Sequence, residues 1–170
     1  FYHCESLRTL DVSKWNVSRV KKMGWCFANC KSLSSLELAS WNVSNVKDLN
    51  HCFSGCTSLC SLELASWNTS NVKKIWGCFS NCTSLRSLDL SYWDVSKVED
   101  MYGCFAGCIS LVYLNIENWV INERCDTTHI FNECNNLSLI KCSKNTFKRI
   151  LGKGWIYENG YAIKCGMDEE

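Results

Sequence analysis

The sequence lacks several features that mark common classes of protein. It contains no proline, and 18 lysine and arginine residues nearly balance 17 aspartate and glutamate residues, for a net charge of +1. Nucleic-acid binders normally concentrate basic residues to neutralise phosphates, so no nucleic-acid partner is expected. The longest uncharged stretch, from Met101 to Ile116, is too short and too polar to span a bilayer, so no direct membrane insertion is expected.

Catalytic signatures are missing as well. The chain has no nucleophile elbow, phosphate-binding loop or metalloprotease helix motif. Its carboxylates are evenly spread instead of being paired in a desolvated pocket, which is the arrangement that separates pKa values for acid–base work. We therefore expect no enzyme activity, no cofactor and no metal site.

What the 170 residues do contain is a repeat of 26 residues. Phenylalanine, tryptophan, cysteine and leucine recur at this step without a gap, which is the signature of a repeat architecture. The units start at Phe1, Phe27, Phe53, Phe79 and Phe105, with a partial unit at Phe131. The tryptophan column consists of Trp15, Trp41, Trp67, Trp93 and Trp119.

Each unit combines two periodicities. Leu36 and Leu38 alternate with polar residues, which predicts a short strand with one buried face. From Ser44 onwards, apolar residues are spaced by three or four, which predicts an amphipathic helix of about three turns. The serines that would cap these helices are Ser18, Ser44, Ser70 and Ser96. One strand and one helix cannot bury an apolar face alone, so the units are expected to stack into a solenoid.

The segment Leu33-x-x-Leu36-x-Leu38-x-x-Trp41 resembles a leucine-rich repeat in which tryptophan takes the usual asparagine position. The segment from Asp89 to Met101 is more similar to the 26-residue repeat of BspA-like surface proteins and Mycoplasma lipoproteins. This resemblance implies an extracellular or cell-surface protein, and such proteins are associated with adhesion and ligand binding. The fold class expected is an α/β solenoid, leucine-rich-repeat-like, with about five strand-plus-helix units, a parallel sheet and a C-terminal cap.

Two regions are expected along the chain. Residues 1–142 would form the repeat solenoid, and residues 143–170 would form a C-terminal cap with a short helix near Phe147 and a hairpin at Asn159-Gly160. No charged-then-apolar leader follows Phe1, so either a secretory signal has been removed or the sequence is part of a longer chain.

Fourteen cysteines, most of them in two columns, favour an oxidising compartment. Neighbouring strands of a sheet lie about 4.7–4.9 Å apart, a spacing that disulfide geometry accepts between successive units. The favoured scheme is a staggered ladder of Cys4–Cys26, Cys30–Cys52, Cys56–Cys78 and Cys82–Cys104. The alternative is a set of reduced core thiols. A metal site is disfavoured because short Cys-x-x-Cys pairs and a histidine column are absent. Cys60, at a strand position, is a candidate for linking to another chain.

The strand residue between the two core leucines should point outwards and form a polar row. This candidate binding row consists of Asp11, Glu37, Glu63, Asp89 and Asn115, with Tyr113 beside it. Repeat proteins commonly bind ligands on such a face, although a polar sheet face also serves solubility alone. The tryptophan column is interpreted as core stacking, whereas Trp25, Trp76 and Tyr102 break the repeat and are better candidates for a surface contact.

Candidate N-glycosylation acceptors are Asn16, Asn42, Asn68 and Asn136. The function favoured is an extracellular or cell-surface binding or adhesion module that recognises a protein or glycan ligand on its sheet face. The alternative is a structural subunit of an extracellular filament or surface array, assembled from further copies of itself by end-to-end stacking. An intracellular scaffold with reduced thiols ranks third.

Overall fold

A computed structural model describes residues 1–165. The regular elements in this part of the chain are strands β1 (Ser87–Asp89), β2 (Tyr113–Asn115) and β3 (Leu139–Lys141), helix α1 (Lys144–Ile150), and strands β4 (Trp155–Glu158) and β5 (Tyr161–Lys164). They form one five-stranded sheet of order β1-β2-β3-β5-β4. Strands β1, β2 and β3 are parallel, whereas β5 runs antiparallel to both β3 and β4. Through residue 165, the chain forms no helix with the length and apolar character that a bilayer crossing requires.

The units stack in register along one axis, with like side chains in contact. The indole of Trp67 stacks on those of Trp41 and Trp93, with ring centroids 6.4 and 6.1 Å away and planes within 5° of parallel. A second column of phenylalanine rings stacks at 5.5–5.7 Å through Phe27, Phe53, Phe79 and Phe105. These columns, with the repeat leucines between them, form one continuous core.

Each buried indole also joins its unit to the one before it. The Nε1–H of Trp67 donates to the carbonyl of Leu38 at 3.2 Å, and the same bond recurs at Trp41, Trp93 and Trp119. A buried N–H needs a partner, because leaving it unpaired costs about 1–3 kcal/mol. The tryptophan column is therefore core, as its regular spacing predicts. Trp15 is the exposed member, at 46%.

The helices predicted from Ser44 onwards, one in each unit, are not formed, and this prediction is wrong. The segment 44–56 is a series of tight turns, in which Cys52 and Cys56 donate their N–H groups to the carbonyls three residues earlier. Alternate N–H groups donate instead to the next unit, as from Leu49 to Lys74 and from Phe53 to Cys78, each at 2.9 Å. Parallel bridges along this side join Lys22, Asp48, Lys74, Asp100 and Asp126 in turn.

Left-handed backbone explains why no helix forms there. Two positions in each unit have φ near +60°, four residues apart, and a right-handed helix cannot pass through them. One column contains Trp25, His51, Gly77, Gly103 and His129, and the other contains His3, Asn29, Gly55, Asn81, Gly107 and Glu133. The apolar spacing of three and four residues matches the turns as well as it matches a helix, so periodicity alone could not separate the two.

The predicted serine caps are also wrong, because these serines lie in turns and do not begin helices. The side-chain oxygens of Asn16, Asn42 and Asn68 accept the N–H groups of Ser18, Ser44 and Ser70 at 3.1 Å, and Asp94 accepts that of Ser96 at 2.9 Å. This is the asparagine or aspartate turn that competes with helix formation. Within residues 1–165 the one helix is α1, where the hydroxyl of Ser143 caps Thr146.

The sheet is also less regular than predicted. Within the described residues, paired strands begin at Ser87, so the earlier units contribute their strand segments without ladder pairing. At the other end, the Asn159-Gly160 turn joins β4 to β5, and the pairing of β5 with β3 extends the sheet past the last repeat. Ala162 is buried there, and Tyr157 packs against Phe147 at 5.4 Å.

Candidate functional site

The sheet face is the outward surface of the strands and of the strand segments in the earlier units. Asp11, Glu37, Glu63 and Asp89 lie exposed on it, one per unit, whereas Asn115 is 9% exposed. Parallel pairing places Asp89 beside Asn115 and Asn115 beside Lys141. The carboxylate row therefore ends at an amide and then at an ammonium group.

Serine hydroxyls hold two of these carboxylates in place. Oδ1 of Asp11 accepts both the N–H and the hydroxyl of Ser13, at 3.0 and 2.6 Å, and these bonds lower the pKa of Asp11. Asp89 makes the same pair of bonds with Ser91. Burial alone would raise the pKa of Asp89, but the bonds from Ser91 and Asn115 outweigh it and leave that pKa below its usual value. Both groups are therefore anionic at neutral pH.

A polar network closes the C-terminal end of the carboxylate row. Nδ2 of Asn115 donates to Asp89 at 3.0 Å, and Lys141 pairs with Glu117 at 2.6 Å. The hydrogen bond that Lys141 donates to Glu117 raises the pKa of Lys141 and keeps the ammonium charged. These contacts hold the polar side chains that border a groove on the sheet face.

The groove has a volume of about 570 Å³ and lies on the last strands of the sheet. It is lined by Tyr113, Leu139, Glu158, Asn159, Tyr161 and Ile163. The pairing of β5 with β3 creates it, because Ile163 then lies beside Leu139 and Tyr161 beside Lys141. Burial, with Tyr161 nearby, raises the pKa of Tyr113, so its hydroxyl is neutral and can donate a hydrogen bond.

Sequence reasoning placed Tyr113 on the candidate face but missed the other groove residues. They belong to the hairpin and to the partial last unit, where the repeat register no longer applies. The Asn159-Gly160 dipeptide was a usable signal for the hairpin. No local pattern, however, states that the hairpin pairs with β3 and turns Tyr161 and Ile163 towards Tyr113.

All fourteen cysteines are free thiols in this structure, so the staggered ladder is not present in it and the four pairings stay predictions. One column donates its thiols to phenylalanine carbonyls of the preceding unit, as from Cys56 to Phe27 at 3.1 Å and from Cys108 to Phe79 at 3.0 Å. Burial raises the pKa of Cys56 to about 12, and it raises the pKa of the fully buried Cys52 well above its usual value.

Other candidate residues lie on the surface. Cys60 is exposed at its strand position and donates to the carbonyl of Ser58 at 3.3 Å. The side chains of Trp25, Trp76 and Tyr102 are 45, 43 and 39% exposed. The four candidate glycosylation acceptors, Asn16, Asn42, Asn68 and Asn136, are exposed. Within residues 1–165, no three histidine, cysteine or acidic side chains converge in a way that would hold a metal ion.

Comparisons with known proteins support the repeat. The family described as "Mycoplasma protein of unknown function, DUF285" matches residues 1–111 and 60–147. This match confirms the resemblance to the BspA-like and Mycoplasma repeat. No curated protein matches the chain.

Two solved structures are similar to the chain. A leucine rich cell surface protein from Faecalibacterium prausnitzii A2-165 aligns with a TM-score of 0.54 at 20% identity, over 78% of this chain and 32% of that one. A leucine-rich repeat protein from Bacteroides ovatus ATCC 8483 aligns with a TM-score of 0.43 at 20% identity, over 84% of this chain and 39% of that one. The first alignment shows a leucine-rich-repeat fold. The chain spans about a third of the length of the first protein and about two fifths of the length of the second.

Proposed function

We propose that this chain, which belongs to the family described as "Mycoplasma protein of unknown function, DUF285", is a cell-surface binding module that holds its ligand on the sheet face. The similar protein from Faecalibacterium prausnitzii is described as a cell surface protein, which supports the same location for this chain. Fold alone does not define a ligand, so the proposal rests on the chemistry of the groove.

The groove is the observation that carries the proposal. Its volume lies within the range of about 300–1,000 Å³ that small-ligand sites occupy. Tyr113 and Tyr161 provide aromatic surface, and Glu158 and Asn159 provide hydrogen-bonding groups. A sugar ring has an apolar face and a rim of hydroxyls, so this combination favours a saccharide over a purely apolar ligand.

The charge around the groove restricts the class of saccharide that can bind there. Glu158 lines it, and the row of Asp11, Glu37, Glu63 and Asp89 continues away from it. Like charges placed together cost free energy, so an anionic ligand is disfavoured. We therefore assign a neutral saccharide to the groove.

The proposal predicts that a neutral-saccharide array will bind the protein and that Tyr161→Ala or Tyr113→Ala will weaken the binding at least tenfold, about 1.4 kcal/mol. The matched control is Tyr92→Ala, because Tyr92 is 72% exposed and does not line the groove. Far-UV circular dichroism and melting curves of each variant check that folding is intact.

Two results would contradict the assignment. The first is an array on which no saccharide is retained. The second is binding that survives both tyrosine substitutions and the replacement of Glu37, Glu63 and Asp89 by alanine, which would exclude the sheet face as the site.

The alternative function is a structural subunit that stacks end to end. The in-register stacking of like side chains favours it, since the indoles of Trp41, Trp67 and Trp93 meet along one axis and a further unit of the same kind could continue such a stack. Light scattering across a concentration series separates the two functions with the same samples. A polymer grows with concentration, whereas a binding module stays at one mass.

A further inference from the structure

A row of aromatic rings runs along the side of the stack that carries the parallel bridges, away from the groove. We call it the aromatic ladder, and it consists of Tyr2, Trp25, His51, Trp76, Tyr102 and His129. Successive rings are in contact, with centroids 4.1 Å apart for Trp25 and His51, 4.8 Å for His51 and Trp76, and 6.3 Å for Trp76 and Tyr102.

The ladder does not belong to the core. Its members stand at or beside the left-handed position of each unit, where other units have glycine, and none is buried. His51 lies over Gly77 between the two exposed indoles, and its Nδ1 is shielded from solvent without a hydrogen-bond partner. A contiguous row of exposed aromatic rings is the kind of apolar surface that marks binding sites.

Basic residues accompany the first part of the ladder. We call the segments 19–25, 45–51 and 71–77 the basic band, and its cations are Arg19, Lys21, Lys22, Lys47, Lys73 and Lys74. The one carboxylate in these segments is Asp48, which is partly buried and accepts the N–H of Asn50 at 2.9 Å. All six cations are exposed.

The lysines of the band are spaced by the stack itself. Lys47 donates its backbone N–H to the carbonyl of Lys21, and Lys73 donates to that of Lys47, each at 2.9 Å. Three lysine side chains therefore leave adjacent units of the stack, whose backbones are about 4.8 Å apart, and they form a line parallel to the aromatic ladder. This repeat is close to the length of one sugar residue in an extended glycan.

The band ends where the charge changes sign. In the fourth unit the corresponding positions hold Glu99 and Asp100, and Glu99 pairs with Lys73 at 3.2 Å. The aromatic ladder continues through Tyr102, but its flank there holds one cation, Lys97, against the two carboxylates of Glu99 and Asp100. A polyanion would thus contact the first three units and stop at Glu99.

We propose that the basic band and the rings of Trp25, His51 and Trp76 together bind an acidic linear glycan. Its sulfate or carboxylate groups pair with the lysines, and the apolar faces of its sugar rings lie on the indoles. The site is separate from the groove and binds anionic ligands, which the groove disfavours, so it does not depend on the function proposed above.

The test measures binding of dextran sulfate, with unsulfated dextran of equal length as the matched ligand. Wild-type protein should bind dextran sulfate at least tenfold more tightly than dextran, with an affinity for dextran sulfate that falls as salt rises, because polyanions release counterions on binding. The double variant Trp25→Ala/Trp76→Ala should bind dextran sulfate at least tenfold more weakly, and the salt dependence of its affinity should be unchanged. The triple variant Lys21→Gln/Lys47→Gln/Lys73→Gln should also bind dextran sulfate at least tenfold more weakly, and its affinity should depend less on salt.

A charge-matched control separates this site from general attraction. Lys144, Lys148 and Lys153 are exposed in and after α1, and replacing all three by glutamine removes the same charge elsewhere. The control should bind within twofold of wild type, and so should the groove variants Tyr113→Ala and Tyr161→Ala.

Three outcomes would overturn the proposal. They are an equal loss in the control triple variant, undiminished binding by the double tryptophan variant, or absence of binding to dextran sulfate. Equally tight binding of a single-stranded oligothymidylate would assign the surface to nucleic acid instead, because bases also stack on aromatic rings.

Discussion

His51 and Gly77 show how a single glycine makes room for a surface side chain. Gly77 has φ = +56°, and a Cβ atom added there would lie 2.5 Å from two atoms of the His51 ring. Gly103 has φ = +54° at the equivalent position of the next unit, but its added Cβ would meet only Ala106, at 3.6 Å. The two glycines therefore share a backbone requirement and differ in their neighbours.

This pair gives a residue-scale prediction. Gly103→Ala should lower the free energy of unfolding by about 1–2 kcal/mol, the cost of a left-handed alanine. Gly77→Ala should lower the free energy of unfolding by about 1–3 kcal/mol more than Gly103→Ala does, because its new methyl group is overpacked against His51. Urea denaturation of His51→Ala, Gly77→Ala and the double variant measures the coupling. Equal costs for the two glycines, or no coupling between positions 51 and 77, would contradict the packing described.

At the scale of the element, the turn segment of each unit determines which thiols can react. Its cysteine columns point into the core, and the thiolate is the reactive form of cysteine. Burial raises the pKa of Cys134 and Cys125 to about 11, and that of Cys78 well above its usual value. Exposed cysteines occur at Cys4, Cys60 and Cys165.

We therefore predict that iodoacetamide at pH 7.5 will alkylate Cys4, Cys60 and Cys165 of the native, reduced protein well before the buried cysteines. Peptide mass spectrometry over a time course reads the order. Alkylation of the protein in denaturant without reductant also counts the thiols, so the predicted staggered ladder would appear as missing alkyl groups. Modification of Cys52 or Cys78 at the rate of Cys60 would contradict the buried columns.

The elements also show where sequence reasoning was sufficient and where it was not. The register of 26 residues predicted the stacking of Trp41 on Trp67, because like positions in stacked units must meet. It did not reveal the turns at Ser44, since turns and helices both space apolar residues by three or four. The glycines at Gly77 and Gly103, four residues before Asn81 and Gly107, carried the missing signal of repeated left-handed backbone.

For the whole molecule, the two proposed sites depend on long-range placement that no local pattern contains. The groove exists because β5 pairs with β3, and the basic band exists because units 26 residues apart place their lysines in one line. The near-zero net charge conceals both the carboxylate row on the sheet face and the lysines on the other side. Stacking in register therefore underlies both proposed sites, since it creates the surfaces on which they lie.

The most direct measurement is a nuclear Overhauser experiment on protein labelled at tryptophan, with signals assigned from single Trp→Phe variants. The ring protons of Trp67 should show cross-peaks to those of both Trp41 and Trp93, and its buried Nε1–H should exchange far more slowly than those of Trp25 and Trp76. Absence of both sets of cross-peaks, with an indole N–H at Trp67 that exchanges as fast as the exposed ones, would contradict the stacked repeat.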